Sequence, residues 1–463
     1  MLLWLPWPRG AHTAAAEATL GISVAFLLMG WAAQYLRNRV ARPSLSKSAL
    51  IALCIWTLWL LSIALQLAPL PEQWLATLAP TATKTRQALN ELPGSFASST
   101  LSIVPGETVR QLLLSLSYFG LYLLALLVTA SRKRQRIVLL TLVSVGLVQA
   151  LYGIQRMYSG FDLGGLLDIP ANTSGRASGS FINPNHFAAY LELVLAAGLG
   201  LILADLRGWT GGSWRHHIAE VIDLTFSTKF RVRVFMVAVV VALVLSQSRM
   251  GNAAFFTALC LCGGTYLLLR QKRWLAPALV LFISVVLIDI WIVSDRFGLE
   301  RVVTRIQKTE ISKEARPLVL ADLQPAFEAY AVTGAGAGAF EAAYSPYRNE
   351  EIGKRYDHAH NEYAEFLIEN GLHGIGLLAL LVGLHLLKAV KIIYKRRDPV
   401  RSGVAFAGLM ALTAMLIHAS AEFMLRIPAV AATLVTLMAM LINISDHRRT
   451  RTENQITNSQ ATG

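Results

Sequence analysis

The run His358-Ala359-His360-Asn361 carries the residue type best suited to acid–base chemistry near neutral pH, because histidine is the usual general base there. It directly precedes an apolar stretch and has acidic neighbours, including Glu362. The sequence predicts His360 as the base, although a histidine that only hydrogen-bonds a neighbour at a membrane interface has the same pattern. A His-x-His pair can also hold a metal, but no third and fourth ligands follow at useful spacing, so no metal or other cofactor is predicted.

Arg249 is the second candidate for chemistry, in the run Ser246-Gln247-Ser248-Arg249 between two apolar stretches. A charge at that depth is costly unless it is paired or hydrated, so it is a functional hypothesis by default. A guanidinium suits bidentate binding of phosphate. The alternative is a helix-end arginine whose head group reaches the lipid head groups.

Two further arginines are candidates for anion binding. Arg316 begins an amphipathic run, and Arg176 precedes a polar turn that contains Asn185 and His186 and leads into an apolar helix. Read alone, each arginine is typical of a solvated surface charge. Asn185 and His186 have the alternative role of capping the helix start.

The elements that must position these residues are membrane helices. The 463 residues are 54% hydrophobic and 15% charged, whereas a soluble domain has about 25% charged residues. A span needs about 20 mostly apolar residues, and the predicted spans are 17–36, 49–68, 109–130, 137–156, 184–204, 234–247, 251–269, 274–293, 363–388, 402–421 and 428–444. The sequence therefore predicts an all-α polytopic membrane protein with about 11–12 transmembrane helices.

Every second loop between these spans is basic, which places those loops in the cytoplasm. The net charge of +14 is then explained by the membrane, and no nucleic-acid partner is expected. Eleven spans put the N-terminus outside, whereas an extra segment formed by the apolar first residues would put it inside. We expect one transmembrane domain over 1–445, with a long helical outer loop at 294–362 and a disordered cytoplasmic tail at 446–463.

The remaining notable motifs predict no other chemistry. The Gly334–Gly338 run does not follow a strand of a βαβ unit, so it is interpreted as a flexible turn near the site. The three cysteines fall in apolar stretches and indicate neither a disulfide framework nor a zinc site.

Taken together, these motifs resemble the O-antigen ligase and O-antigen polymerase superfamily of bacterial membrane glycosyltransferases. The likeness covers about residues 110–445 and depends on the order and spacing of motifs that are modest individually. The matching features are Gly179-Ser180-Phe181 followed by Asn183-Pro184-Asn185-His186-Phe187-Ala188, then Ser246-Gln247-Ser248-Arg249, Arg316 before Gly334–Phe340, and His360-Asn361 with Gly371 eleven positions after His360.

The resemblance implies a multi-pass protein of the bacterial inner membrane with a GT-C type fold and an active site facing the periplasm. Its donor would be an undecaprenyl-diphosphate-linked glycan, transferred without a metal and with inversion to an acceptor hydroxyl. Among the residues, His360 would be the base, and Arg249 and Arg316 would hold the diphosphate. Arg176, Asn185, His186, His358 and Asn361 would be further substrate contacts.

Four readings of the function remain at this point. A ligase would use lipid A–core as acceptor, and a polymerase would use another lipid-linked repeat unit. A protein O-oligosaccharyltransferase is less favoured. The oligosaccharyltransferases tend to carry an extra extracytoplasmic C-terminal region, whereas the given sequence ends soon after its last predicted span. A transporter would place ionisable residues in mid-membrane, whereas the notable charges here cluster at the outer boundary.

Overall fold

The computed structural model describes residues 1–40, 44–84, 99–159, 175–205, 228–269, 283, 322–348, 357–395 and 398–444, and the account below concerns these residues. All regular elements there are helices. They are α1 (Ala14–Leu36), α2 (Lys47–Gln66), α3 (Glu72–Leu78), α4 (Pro105–Val128), α5 (Arg132–Tyr158), α6 (Pro184–Asp205), α7 (Thr228–Leu245), α8 (Arg249–Leu269), α9 (Gln324–Tyr330), α10 (Phe340–Tyr344), α11 (Glu362–Lys395), α12 (Pro399–His418) and α13 (Pro428–Ile442). Short 3-10 turns are present at Arg9–Ala11, Ser345–Tyr347 and Met424–Arg426.

Eight of the helices are long and apolar enough to cross a membrane, namely α1, α2, α4, α5, α6, α8, α11 and α12. Shorter apolar helices lie at Val232–Leu245, within α7, and at Pro428–Ile442. Ten of the predicted spans thus coincide with helices, within a few residues at most ends. The span at 274–293, Arg316, the rest of 294–321 and the tail at 446–463 lie outside the described residues. The chain is an all-α polytopic membrane protein.

The bundle is arranged around α6, in which every residue from His186 to Ala204 is buried. Its packing against α12 depends on two glycines. A Cβ atom on Gly200 would lie 2.4 Å from the Gly403 carbonyl oxygen, and one on Gly403 would lie 2.1 Å from the Gly200 carbonyl oxygen. Small residues let membrane helices approach backbone to backbone, so these glycines allow α6 and α12 to pack closely.

The starts and ends of alternate helices meet at one end of the bundle, which we call the His360 end. There Glu362 N–H, at the start of α11, donates to the Ala419 carbonyl after α12 at 2.8 Å. Ala177 N–H, ahead of α6, donates to the Leu245 carbonyl at the end of α7 at 3.0 Å. The first residues of the chain lie at the same end, because Ser180 Oγ donates to the Pro6 carbonyl.

The opposite end of the bundle carries basic side chains. Arg132 forms an ion pair with Asp398 at 2.7 Å, and Arg136 binds both carboxylate oxygens of Asp205. Lys47 and Lys395 begin and end helices there, at the start of α2 and the end of α11. Four of the basic side chains that the sequence assigned to alternate loops therefore lie, among the described residues, at the end of the bundle remote from His360.

The Gly334–Gly338 run is fixed in place, and the expectation of a flexible turn is wrong. Ala335 and Gly336 N–H groups donate to the Ile368 and Glu369 carbonyls at 2.8 and 3.0 Å. Ala337 N–H donates to Gln66 Oε1 at 2.9 Å. The glycines adopt positive φ values of 76°, 110° and 81°, which residues with a Cβ rarely adopt. The backbone of residues 334–338 therefore packs directly against the first turns of α11.

Candidate functional site

The segment that carries His360 is held between two neighbouring elements. Asn361 caps α11, since its Oδ1 accepts from Ala364 N–H at 3.1 Å. Its Nδ2 donates to the Ser420 carbonyl, beyond α12, at 3.1 Å. His360 itself has a φ of +50°, which is uncommon for a residue other than glycine and occurs often at functional sites. Asn361 thus performs a structural task, whereas His360 is presented from a strained backbone position.

A continuous chain of hydrogen bonds leads from His360 to the turn before Arg249. His360 Nδ1 lies 3.0 Å from Glu422 Oε2, and Glu422 Oε1 accepts from Asn185 Nδ2 at 2.7 Å. Asn185 Oδ1 accepts from Arg176 Nη2 at 3.0 Å. Arg176 Nε donates to the Ser246 carbonyl at 2.7 Å. Three of the residues selected from the sequence, His360, Asn185 and Arg176, are therefore joined in one network.

Arg249 is exposed at the start of α8, three residues after Ser246 in the chain. The two serines of its motif hold the turn. Ser248 Oγ accepts from Gly251 N–H at 3.2 Å, and Ser246 Oγ accepts from Ser248 N–H at 3.2 Å. The network that begins at His360 ends on the turn that presents the Arg249 guanidinium. Arg316 lies outside the described residues, so its place relative to this turn stays a prediction.

Phe423 lies among three histidines at the His360 end. His358 stacks on its ring with centroids 3.8 Å apart and planes inclined by 16°. His186 meets the ring edge-on at 4.8 Å, and His360 lies at 5.3 Å. His358 Nδ1 faces Glu365 Oε2 at 3.0 Å, whereas His360 faces Glu422. The two histidines of the His-x-His run therefore bind different carboxylates.

Residues 234–379 of this chain, which include both Arg249 and His360, match the family model described as O-antigen ligase. This part of the chain is similar to O-antigen ligases. The match supports membership of the O-antigen ligase and polymerase superfamily. No curated protein matches the chain. The match supports a function of the O-antigen ligase or polymerase type, with lipid-linked glycans as the implied substrates.

Among the residues of the site that escaped the reasoning from sequence, Glu422 and Arg426 lie outside the matched O-antigen ligase domain. Glu422 is 1% exposed at its side chain, and Arg426 is 11% exposed. Both follow α12, in a run of chain that the predicted spans treated only as a short connection. The criterion that selected Arg249, a charge beside apolar stretches, applies equally to these two residues and would have found them.

Arg426 connects the O-antigen ligase domain to the loop before α13. Its guanidinium forms an ion pair with Glu369 and lies 3.7 Å from Glu365. Burial lowers the pKa of Arg426, but the carboxylates of Glu369 and Glu365 raise it more, so the pKa is raised overall. Nearby, Glu362 accepts from Leu425 N–H at 3.0 Å. One face of the first turns of α11 is thereby bound to the Met424–Arg426 turn.

An apolar cavity lies between α2, α4, α11, α12 and α13 and begins at this cluster. Its volume is about 180 Å³. Glu362, Glu369 and Arg426 line its polar part. Most of the remaining wall is aliphatic or aromatic, formed by Ile55, Trp56, Trp59, Ile63, Phe366, Leu377, Leu378, Leu381, Val382, Leu434, Val435 and Met438, among others. A wall of this kind fits a hydrocarbon chain.

Proposed function

We propose that this protein transfers a glycan from undecaprenyl diphosphate to a hydroxyl of lipid A–core on the periplasmic side of the inner membrane. The observation that carries the proposal is the chain of contacts from His360 through Glu422, Asn185 and Arg176 to the turn before Arg249. These contacts link His360 to Arg176 and to the turn before Arg249, and they support a site that combines a base with cationic side chains. A transfer with loss of a diphosphate needs both kinds of group.

His360 is the proposed base. Its Nδ1 faces the Glu422 carboxylate, so the proton resides on Nδ1 and the lone pair on Nε2. The acceptor hydroxyl gives its proton to Nε2 as its oxygen forms a bond to the anomeric carbon. The bond from that carbon to the diphosphate oxygen breaks, and its electron pair leaves with the diphosphate. Attack opposite the leaving group inverts the anomeric centre.

Arg176 and Arg249 are the proposed partners of the departing diphosphate, together with Arg316. Negative charge grows on the leaving oxygen in the transition state, and donors fixed in advance stabilise it without reorganising. Arg176 is fixed in this way, because Asn185 and the Ser246 carbonyl hold its guanidinium. Such side chains supply the charge that a divalent cation supplies in other transferases.

The orientation of the site is supported by the distribution of charge over the two ends of the bundle. Basic residues mark the cytoplasmic side of membrane proteins, and Arg132, Arg136 and Lys395 lie at the end remote from His360. The His360 end would then face the periplasm, with the first residues of the chain on the same side. The apolar cavity would receive the hydrocarbon chain of a lipid substrate.

The test offers the purified protein an undecaprenyl-diphosphate-linked glycan together with lipid A–core, and separately with a second lipid-linked repeat unit. Glycosylated lipid A–core supports the ligase, and longer lipid-linked chains identify a polymerase instead. The His360→Ala variant should lose transfer while remaining folded. His373→Ala is the matched control, because His373 is an exposed histidine on the same helix. Full transfer by His360→Ala would contradict the mechanism.

A further inference from the structure

Glu422 is a buried carboxylate whose two oxygens serve different partners. Oε2 faces His360 Nδ1 at 3.0 Å, and Oε1 accepts from Asn185 Nδ2 at 2.7 Å. The side chain of Glu422 is 1% exposed and that of His360 is 22% exposed. The carboxylate is therefore held from two sides, with its imidazole partner at the boundary of the site.

We propose that Glu422 is the positioning residue of His360 and that it fixes this base relative to the arginine that binds the leaving group. The inference rests on the proposed function, in which His360 is the base. An ionised carboxylate only accepts hydrogen bonds, so it selects the imidazole tautomer with the proton on Nδ1. When Nε2 takes the proton of the acceptor hydroxyl, the same carboxylate stabilises the imidazolium that forms.

Asn185 transmits the alignment from Glu422 to Arg176. Its amide nitrogen is the donor to Glu422, so its oxygen must face the other way, where it accepts from Arg176 Nη2 at 3.0 Å. Arg176 is held in addition by the Ser246 carbonyl at 2.7 Å. A flipped amide would place its nitrogen against a guanidinium and its oxygen against a carboxylate. The donors and acceptors of this network match only when the Asn185 amide is oriented in this way. The network therefore sets the distance between His360 and Arg176.

A second carboxylate–histidine pair, inside the bundle, provides a matched control. Glu192 on α6 and His418 at the end of α12 are both fully buried, with Glu192 Oε1 2.6 Å from His418 Nδ1. The chain of contacts from His360 to Ser246 runs through neither residue. If Glu422 acted only by holding the fold together, neutralising Glu192 would damage transfer just as much.

The experiment measures kcat and KM for transfer by the purified full-length protein, with an undecaprenyl-diphosphate-linked glycan as donor. The acceptor is lipid A–core or, if that is not glycosylated by the wild type, a second molecule of the donor. Glu422→Gln should lower kcat about 100-fold, the upper range for loss of an orienting partner, with little change in the KM for the donor. Glu422→Asp keeps the charge and should recover part of kcat, whereas Glu192→Gln should keep the wild-type kcat.

Asn185→Ala leaves Glu422 and His360 in place and should lower kcat by a smaller factor. In the His360→Ala background, Glu422→Gln should cause no further loss, because its partner is gone. The inference is overturned if Glu422→Gln retains as much kcat as Glu192→Gln, or if Glu422→Asp is no better than Glu422→Gln in a protein that is folded. If instead His360→Ala itself retains full transfer, the proposed mechanism fails, and that result is distinguishable from failure of this inference.

Discussion

Gly371 and Val332 are in backbone contact: a Cβ atom on Gly371 would lie 2.6 Å from the Val332 carbonyl oxygen. Gly371 also interrupts the helical geometry of α11, with a φ of 64° and a ψ of −175°. Directly after it, Leu372 N–H donates to the Ala331 carbonyl at 2.8 Å. The spacing of Gly371 from His360, which the sequence offered only as a motif, therefore has a physical reason. The kink seats the backbone of residues 331–337 against the part of α11 that follows the base.

Gly371→Ala should lower the free energy of unfolding, through about 1–3 kcal/mol of backbone strain and a steric term of similar size. Gly376 is the control, since it lies on the same helix and a Cβ atom added to it would have nothing within 4 Å. Gly376→Ala should be neutral or stabilise by up to about 1 kcal/mol. Thermal unfolding of both variants in detergent measures the difference, and equal melting temperatures would contradict the role given to the kink.

Arg176→Lys should lose most of the transfer activity that Arg176→Ala loses. The guanidinium donates from Nε to Ser246 and from Nη2 to Asn185, whereas a lysine ammonium cannot match two donors in a planar fork. Hydrogen bonds of charged groups contribute about 1.5–3 kcal/mol each, so kcat/KM should fall roughly 10- to 100-fold. Wild-type kinetics in Arg176→Lys would show that only the positive charge matters.

Arg426→Met should destabilise the protein by about 3–5 kcal/mol, because it leaves the buried carboxylates of Glu369 and Glu365 without their cation. Adding Glu369→Leu should restore part of that loss, which the double-mutant cycle measures. Arg110 pairs with Glu17 at 2.7 Å, but its side chain is 42% exposed. Arg110→Met should therefore cost no more than about 1 kcal/mol. Similar losses of stability in Arg426→Met and Arg110→Met would contradict this distinction between a buried and an exposed ion pair.

His12 should make stability depend on pH. It precedes α1, and burial lowers the pKa of its imidazole, with Glu17, Arg110, His358 and the Arg426 backbone acting more weakly. Below the ordinary histidine pKa of about 6.5, the unfolded chain takes up a proton that the folded chain still excludes. Stability therefore falls as the pH drops through 6.5, until the folded imidazole is protonated as well. His12→Gln should reduce the fall of the melting temperature as the pH drops below 6.5. An unchanged fall would argue against the burial of His12.

Leu378→Trp should fill part of the apolar cavity and raise the KM for the lipid-linked donor about tenfold, which corresponds to ~1.4 kcal/mol of binding. Leu378 lines the cavity. Leu380 lies on the same helix with 63% of its surface exposed, so Leu380→Trp changes the same residue type without occupying the cavity. Equal KM values in the two variants would exclude this cavity as the site of the donor chain.

The sequence predicted the positions of the helices but not which helices pack against one another. Long apolar segments fix the spans through the cost of unsatisfied backbone in lipid. Among the described residues, Arg132, Arg136 and Lys395 from the basic loops lie at one end of the bundle. Hydropathy does not report which helix is central, because lipid is as apolar as leucine. Thus α2 and α6 have mean hydropathies of 2.2 and 2.1, yet their most apolar windows are 28% and 100% buried.

In the candidate site, too, local sequence patterns identified individual residues but not their tertiary partners. His360 was selected as a candidate from its residue type and its place before a helix, and Arg176 and Asn185 were selected from the polar turn before α6. The partner of His360 was missed because Glu422 is 62 positions away in the chain. That pairing depends on how α11 packs beside α12, and tertiary packing of this kind leaves no local pattern in the sequence.

The complete burial of α6 has a consequence for biosynthesis. This helix is translated long before α12 and α13, which cover part of its surface in the finished protein. While the later helices are still being made, the faces of α6 that they will cover lack these partners. The approach of Gly200 to Gly403 can form only after Gly403 has been translated, about 200 residues after Gly200, so the packing of the central helix is completed late relative to its own synthesis.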